Sequence, residues 1–524
     1  MGHKWLKVSR VIISLIFLIL TALLFLDYRG TFPTSFFGSV LYLQFVPSLL
    51  KFIHILGFAA IGFIIITLLT LLFGRVYCST ICPFGILQDA ISFISRKFRK
   101  KKRYKYSKPH SVLRYVLLAL PVLLLILGSV YLINLLDPYS NFGRIFSDLF
   151  RPVAIGINNL MASLFQKMNI YAIYPVAVKK MNIATLWFPL AILFLVVWMA
   201  AFHGRLYCNT ICPVGTLLGL LSKVSIFRVK FDDASCTKCG KCAVVCKSEC
   251  INIKEMEVDF SRCVGCFNCI QACPSESINY KSGRKRKPAI EPVTVTNTGK
   301  REFLTKTLFY GVGLFGLSKM VKAQPEIGGD HEFKPLPNNK KYPVSPPGSL
   351  SIEHFKDKCT ACHLCVSACP TQVLQPSFLE YGFTGMLQPR MDFHVNYCNY
   401  ECTICSEVCP TGAILPLSKE SKKTTQIGRV HFIMHNCVVH TDNTACGSCS
   451  EHCPTQAVRM VPYEGDLTIP EVNPDICVGC GACEYACPVR PHRAIYVDGN
   501  PEHLVAEKPK EEKIEEETTE EFPF

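Results

Sequence analysis

The sequence predicts a membrane all-α bundle of four transmembrane helices, with a fifth candidate, joined to small cysteine-rich α+β modules. Three observations predict it. Long apolar runs dominate the first half of the chain, 29 cysteines recur at spacings of two or three residues, and one twelve-residue motif occurs twice. With 524 residues, 49% of them hydrophobic, the chain is long enough for several domains and rich enough in apolar residues for membrane spans.

The apolar runs are 11–26, 49–73, 112–136 and 183–202. Most approach the roughly 20 residues that cross a bilayer, and the first reads as a signal anchor. Basic residues set the orientation. The stretch 95–108 carries nine Lys or Arg, the N-terminus adds Lys4, Lys7 and Arg10, and the loop 27–48 has only Arg29. The positive-inside rule places the N-terminus and 95–108 in the cytoplasm, and topology explains the net charge of +16 without a nucleic-acid partner. Trp187 reads as an interfacial anchor. A fifth apolar stretch, 307–318, follows Lys300-Arg301-Glu302-Phe303-Leu304 and precedes Val321-Lys322-Ala323. This is the grammar of an export signal or a weak anchor. The resulting domains are 1–230 (membrane), 231–281 (cysteine-rich), 282–302 (basic linker), 303–323 (signal-like or transmembrane), 324–350 (linker), 351–499 (cysteine-rich) and 500–524 (acidic, disordered tail).

The cysteine count is odd and the chain is long, which argues against a disulfide scaffold. Region 231–281 holds Cys236, Cys239, Cys242 and Cys246, then Cys263, Cys266, Cys269 and Cys273-Pro274. This is the bacterial two-cluster ferredoxin spacing, in which the fourth cysteine of each run ligates the other cluster. One [4Fe–4S] cluster takes Cys236, Cys239, Cys242 and Cys273; the other takes Cys263, Cys266, Cys269 and Cys246. Structural zinc rarely needs four cysteines in eleven residues, repeated, with proline after the last. Lys247 stands where proline is usual, and Cys250 is left as a buried thiol rather than a ligand. Region 351–499 repeats the theme four times: Cys359, Cys362, Cys365, Cys369; Cys398, Cys402, Cys405, Cys409; Cys437, Cys446, Cys449, Cys453; and Cys477, Cys480, Cys483, Cys487, each run followed by proline. The modules are thus α+β and bacterial ferredoxin-like, with six [4Fe–4S] clusters in all.

Four cysteines remain, and they are the repeated motif. GRVYCSTICPFG begins at Gly74 and GRLYCNTICPVG at Gly204, with nine of twelve positions identical. Proline after Cys82 and Cys212 starts a helix and leaves the cysteine extended. Two copies after two apolar runs form an internal pseudo-repeat whose ends can meet. Cys78, Cys82, Cys208 and Cys212 then suit an additional iron or iron–sulfur centre, or else mark two turns with buried thiols.

These features together resemble a fusion of NapH-type membrane ferredoxins, which carry two CxxxCP motifs and a cytoplasmic two-cluster module, with NapG/MauM-type four-cluster ferredoxins. The resemblance implies oxidation of menaquinol or ubiquinol from the membrane quinone pool and delivery of electrons to a periplasmic redox protein or reductase, such as one of nitrate-reductase type. It places the chain in the bacterial inner membrane as a multi-pass protein, with the first ferredoxin cytoplasmic and the second periplasmic. It also favours nested pairing in 351–499, first run with fourth and second with third. CxxxCP motifs resemble, too, the polyferredoxins of oxidase and reductase assembly, so maturation by reduction of a metal or thiol is the alternative function. Candidate quinol residues lie on the outer loops: Gln44, His54, Asp137 and Arg144. No G-x-G-x-x-G fingerprint follows a strand, so direct NADH oxidation lacks support.

Overall fold

Helix α1 (Lys4–Leu26) contains no Gly or Pro over 23 residues, and at 1.5 Å per residue it is about 34 Å long, enough to cross a hydrocarbon core of about 30 Å. The structure is a computed structural model that describes residues 4–55, 61–98, 104–177, 183–232, 235–282 and 335–507. The export-signal stretch 300–323, most of the tail and residues 99–103 of the basic run lie outside the described residues.

After α1 come α2 (Thr34–Leu41), α3 (Phe45–Ile55), α4 (Gly62–Phe73), α5 (Tyr77–Thr80), α6 (Pro83–Phe98), α7 (Ser111–Ile126), α8 (Tyr131–Leu136) and α9 (Pro138–Arg144). A π-helical segment, Ile145–Phe150, leads into α10 (Arg151–Lys167), followed by α11 (Ile183–His203), α12 (Leu206–Thr210) and α13 (Pro213–Ser222). Among the described residues, two helices are long and apolar enough to cross a membrane, α1 from Trp5 and α11; a third span exists if α2 and α3, bent by 104°, count as one. The candidate spans fit a membrane helical bundle in part; four spans are not confirmed. The run 49–73 is divided between α3 and α4. At the start of α4 a Cβ on Gly62 would sit 1.7 Å from the Tyr42 carbonyl oxygen, so the helix can begin there only because the residue is glycine. The run 112–136 breaks between α7 and α8 at Gly128, whose φ of +87° no helix accommodates.

The internal repeat is realised element for element. A helix (α4, α11) ends at a left-handed glycine (Gly74, Gly204), a single turn carries the first cysteine (α5, α12), and a helix starting at proline follows (α6, α13).

The cysteine-rich regions use short two-stranded antiparallel sheets. In the first, Phe227–Phe231 pairs with Ile278–Ser282 and Ile251–Asn252 with Glu257–Val258. In the second, Leu374–Pro376 pairs with Pro389–Met391, Val458–Pro462 with Thr468–Val472, and Thr425–Phe432 with Ile495–Val505. Both regions pack with the helices in one compact unit. They sit at opposite ends of α1. Lys7 donates to Gln271 of the first region at 2.5 Å, while Phe25 packs on Tyr139, Phe142 and Gly143, beside the Cys362 loop of the second.

Candidate iron–sulfur sites

Each CxxCxxC loop must wrap backbone amides around sulfur. Lys238 and Gly240 flank Cys239 at positive φ, and Gly265 and Phe267 flank Cys266 in the same way. Ala361 and His363 around Cys362, and Gly479 and Gly481 around Cys480, repeat the turn. Successive left-handed residues of this kind point N–H groups inward and form an anion cradle. The Ala361 amide donates to Cys359 Sγ at 3.4 Å and the Gly479 amide to Cys477 Sγ at 3.3 Å. The runs beginning at Cys398 and Cys437 have different spacings and lack this pair of residues.

In the first region a cavity is lined by Cys236, Cys239, Cys242 and Cys273, the ligand set read from the spacing. Cys269 lies in reach of Cys263, Cys266 and Cys246, the second set. In the second region the nested pairing is corrected. Cys409 completes the set of Cys359, Cys362 and Cys365, and Cys369 that of Cys398, Cys402 and Cys405. Likewise Cys487 lines one cavity with Cys437, Cys446 and Cys449, and Cys453 joins Cys477, Cys480 and Cys483. Consecutive runs pair because the short helices Leu364–Ala368 and Ile404–Val408 pack on each other, as do Ser448–Glu451 and Ala482–Ala486.

Two departures from the spacing acquire roles. Cys250 is buried, with its Sγ 3.6 Å from Cys246 Sγ and within hydrogen-bond reach of Cys263, so it is a thiol donor to two ligands of one cluster. That hydrogen bond holds the Cys246 thiol below its ordinary value despite burial. Lys247 leaves the loop to pair with Asp89 of α6 at 3.2 Å. Arg205 (2.8 Å) and Arg10 (3.1 Å) share that carboxylate. Burial alone would raise the Asp89 carboxyl; Arg205, Lys247 and Arg10 outweigh it and hold it well below the usual carboxylate range.

The repeated motifs meet. Cys82 is in reach of Cys78 and Cys208, and Cys212 in reach of Cys208, Cys82 and Cys78. All four thiols are buried. Cys212 caps α13 and accepts from the Gly215 amide at 3.3 Å; Cys82 accepts equivalently from Gly85 at the start of α6. The copies are wired to each other. Arg75 of the first donates to the Cys208 carbonyl at 3.0 Å, and Arg205 of the second donates to the Cys78 carbonyl. Glycine is required at 85 and 215, because a Cβ there would meet those same carbonyls at 2.3 and 2.1 Å. Gln88 donates to Cys208 Sγ at 3.2 Å. Arg75 also reaches out of the motif, to the Ser261 carbonyl at 2.9 Å, just before Cys263. Among the described residues no group of three or more His, Cys, Asp and Glu can hold a single metal ion, and that is as true of the ferredoxin cysteines as of these four.

The outer-loop residues Gln44, His54, Asp137 and Arg144 gather under the second region. His54 Nδ1 lies 2.8 Å from the Thr411 carbonyl, and Asp137 caps α9 by accepting from the Ser140 amide at 2.8 Å. Arg144 donates to Asn134 Oδ1 at 3.0 Å, and Gln44 meets the Tyr77 hydroxyl at 3.4 Å. None of Gln44, Asp137 and Arg144 exposes more than 1% of its surface. Two contacts missed in the sequence complete this interface. His363 Nδ1 meets the Asp148 carboxylate at 2.9 Å, and Gly143 lies so near the Cys362 carbonyl that a Cβ would come within 2.3 Å. Arg75 and Arg205 were also missed as functional residues, although identity between the two motif copies was the signal for them.

A 4Fe–4S binding domain family matches residues 55–101 and 185–232, one match over each CxxxCP motif. A 4Fe–4S dicluster domain family matches 235–277, 358–413 and 444–490; the first two matches each enclose a pair of cysteine runs, and the third encloses its pair except for Cys437. The ferredoxin-type protein NapH of Haemophilus influenzae is 26% identical over 184 residues, 35% of this chain and 51% of the relative. The chain is NapH-like and carries ferredoxin modules. The putative electron transport protein YccM of Escherichia coli is 27% identical over 194 residues, 36% of this chain and 44% of the relative. The methylamine utilization ferredoxin-type protein MauM of Methylophilus methylotrophus is 37% identical over 82 residues, 15% of this chain and 35% of the relative. The chain thus spans about half the length of the first curated relatives it matches, and less of MauM. No solved structure matches. The two family matches and the many cysteines support iron–sulfur clusters, and such clusters, when bound, take up and release electrons.

Proposed function

We propose that the protein is a membrane relay that takes electrons from menaquinol or ubiquinol and delivers them to a periplasmic redox enzyme. The observation that carries this reading is the position of Cys78, Cys82, Cys208 and Cys212. They are buried between two ferredoxin regions held at opposite ends of α1. On one side, Val76 lies against Gly265 in the loop that carries Cys263 and Cys266. On the other, the Tyr207 hydroxyl meets Asn141 of α9 at 3.3 Å, and the neighbouring Gly143 touches the Cys362 loop. These four residues would hold an additional iron–sulfur centre. Burial disfavours thiolates there, and the amides of Gly85 and Gly215 and the guanidinium groups of Arg75 and Arg205 work against it.

Basic residues at 95–108 and the N-terminus support a cytoplasmic first ferredoxin, and the length of α1 supports a periplasmic second one. The full set of cubanes is six. Two measurements test the reading. Anaerobically purified protein should contain about 24 cubane irons, four per cluster, plus those of the CxxxCP centre. Protease added to spheroplasts should digest 351–499 and spare 231–281. Complete protection of 351–499, with digestion in inverted vesicles, would overturn the relay.

A further inference from the structure

A cavity of about 800 Å³ opens between α1, α6 and the first ferredoxin. It is within the size range of ligand sites. One half is apolar, with Leu15 and Phe93, 49% and 66% exposed, on the side where the helices carry other exposed apolar residues. The other half is polar, with Lys7, Arg10, Asn268 and Gln271. Asn268 adjoins the ligand Cys269, and Val245 in the wall adjoins the ligand Cys246. Two side chains of this lining carry a buried polar atom without a hydrogen-bond partner among the described residues: the acceptor Asn268 Oδ1 and the donor Arg10 Nε. Buried polar groups are normally satisfied, so an unpaired acceptor and donor in one lining call for a ligand presenting both senses of hydrogen bond.

Resting on the relay reading, we infer that this cavity is the quinol site. The hydroxyl of a quinol donates to Asn268 Oδ1, Arg10 Nε donates to a quinol oxygen, and the isoprenoid tail leaves past Leu15 and Phe93. On oxidation, both O–H bonds break and the ring becomes a quinone. Two electrons pass to the adjacent iron–sulfur centres as oxidant, and two protons leave to water at the Lys7–Gln271 edge. A phospholipid phosphate would pair with the Arg10 donor but gives Asn268 Oδ1 nothing; only a headgroup with its own hydroxyl, as in phosphatidylglycerol, could serve both, so that lipid is the competitor in the test. Gln44 Nε2 and Asp137 Oδ1 on the outer side also lack a partner among the described residues, but both residues are packed under the second region with at most 1% of their surface exposed, whereas this cavity opens on exposed apolar helix faces.

The test uses the full chain in detergent, with decylubiquinone and a short-tailed naphthoquinone as probes; the stronger binder identifies the quinone class. Ala90→Trp fills the cavity and Asn268→Leu removes the acceptor. Each should weaken binding by about tenfold or more, as expected for loss of a buried hydrogen bond or of cavity space, with iron content and dithionite-reduced EPR spectra unchanged. A photoreactive azidoquinone should label peptides from α1, α6 or 263–273. Unchanged affinity in both variants, labelling confined to 34–55 and 131–151, or displacement by phosphatidylglycerol with no displacement by quinone would overturn the site. If quinol reduces wild type and both variants equally, the site falls and the relay reading stands. If quinone binds as described but quinol never reduces wild type, the relay reading falls and the binding site stands.

Discussion

The two ferredoxin regions are fastened to the helices by different chemistry. The first is held by charge. Asp89 gathers Lys247, Arg205 and Arg10, while Arg75 and Arg114 both donate to the Ser261 carbonyl at 2.9 Å. The second is held by close backbone packing, with Gly143 on the Cys362 carbonyl and Gly412 on Ile55, and by the buried hydrogen bond between Asp148 and His363. A charged dock tolerates space between its partners, and a large cavity lies beside it. Glycine also touches a carbonyl in the first dock, Gly204 at Lys247 and Gly219 at Ser261, so what sets the first dock apart is the group of charges around Asp89 and the cavity beside it. The comparison teaches where a diffusing ligand can reach the clusters and where electrons must cross between fixed partners.

The largest expected effect breaks the charged dock. Asp89→Asn leaves Lys247, Arg205 and Arg10 without their common anion, which for a buried ion cluster costs about 3–5 kcal/mol. Limited proteolysis should then release 231–281 while 351–499 stays attached. The pH dependence has a definite sign. A depressed carboxylate contributes stability that is fully present above its unfolded value of about 3.9, and lost only as pH falls through the lower folded value. Wild type should therefore keep this dock intact at pH 4, with Asp89→Asn weaker throughout the range.

A smaller effect is expected at the packed dock. Gly143→Val drives a side chain into the Cys362 carbonyl, and overpacking of this kind costs about 1–3 kcal/mol. Proteolysis should now release 351–499 first, the reverse of the Asp89 variant. Identical release patterns in the two variants would erase the distinction between the docks.

The smallest effect sharpens the first region. Cys250→Ala removes a hydrogen-bond donor from Cys246 and Cys263. Iron content should be unchanged, while a potentiometric titration should move one cluster to lower potential, because hydrogen bonds to the sulfurs stabilise the reduced, more negative form. Loss of iron would make Cys250 a ligand.

Much of this was legible in the sequence because cubane ligands must lie close together along the chain. The runs at Cys236 and Cys263 therefore identify themselves, as does the repeat around Cys78 and Cys208. The pairing of runs in 351–499 was not legible, since nested and consecutive arrangements use the same cysteines; only packing of the short helices decides it. The spans were less legible because an apolar run reports composition, whereas the break at Gly128 and the approach of Gly62 to Tyr42 are set by tertiary contact. Asp89 was invisible, being one acidic residue on an ordinary amphipathic helix with partners far along the chain. Lys247 was visible only as an anomaly, a lysine in place of proline, whose reason is the partner it meets.

The central claim is that the CxxxCP thiols join the two ferredoxin regions across the membrane. Liposomes containing the full chain and trapped ferricyanide, with dithionite added outside, test it most directly by the rate of ferricyanide bleaching. Wild type should bleach the trapped dye. Cys78→Ser, with its six cubanes intact by EPR, should slow bleaching by at least about 100-fold, the scale of losing a required metal-site residue. Equal rates for wild type and Cys78→Ser would contradict the account.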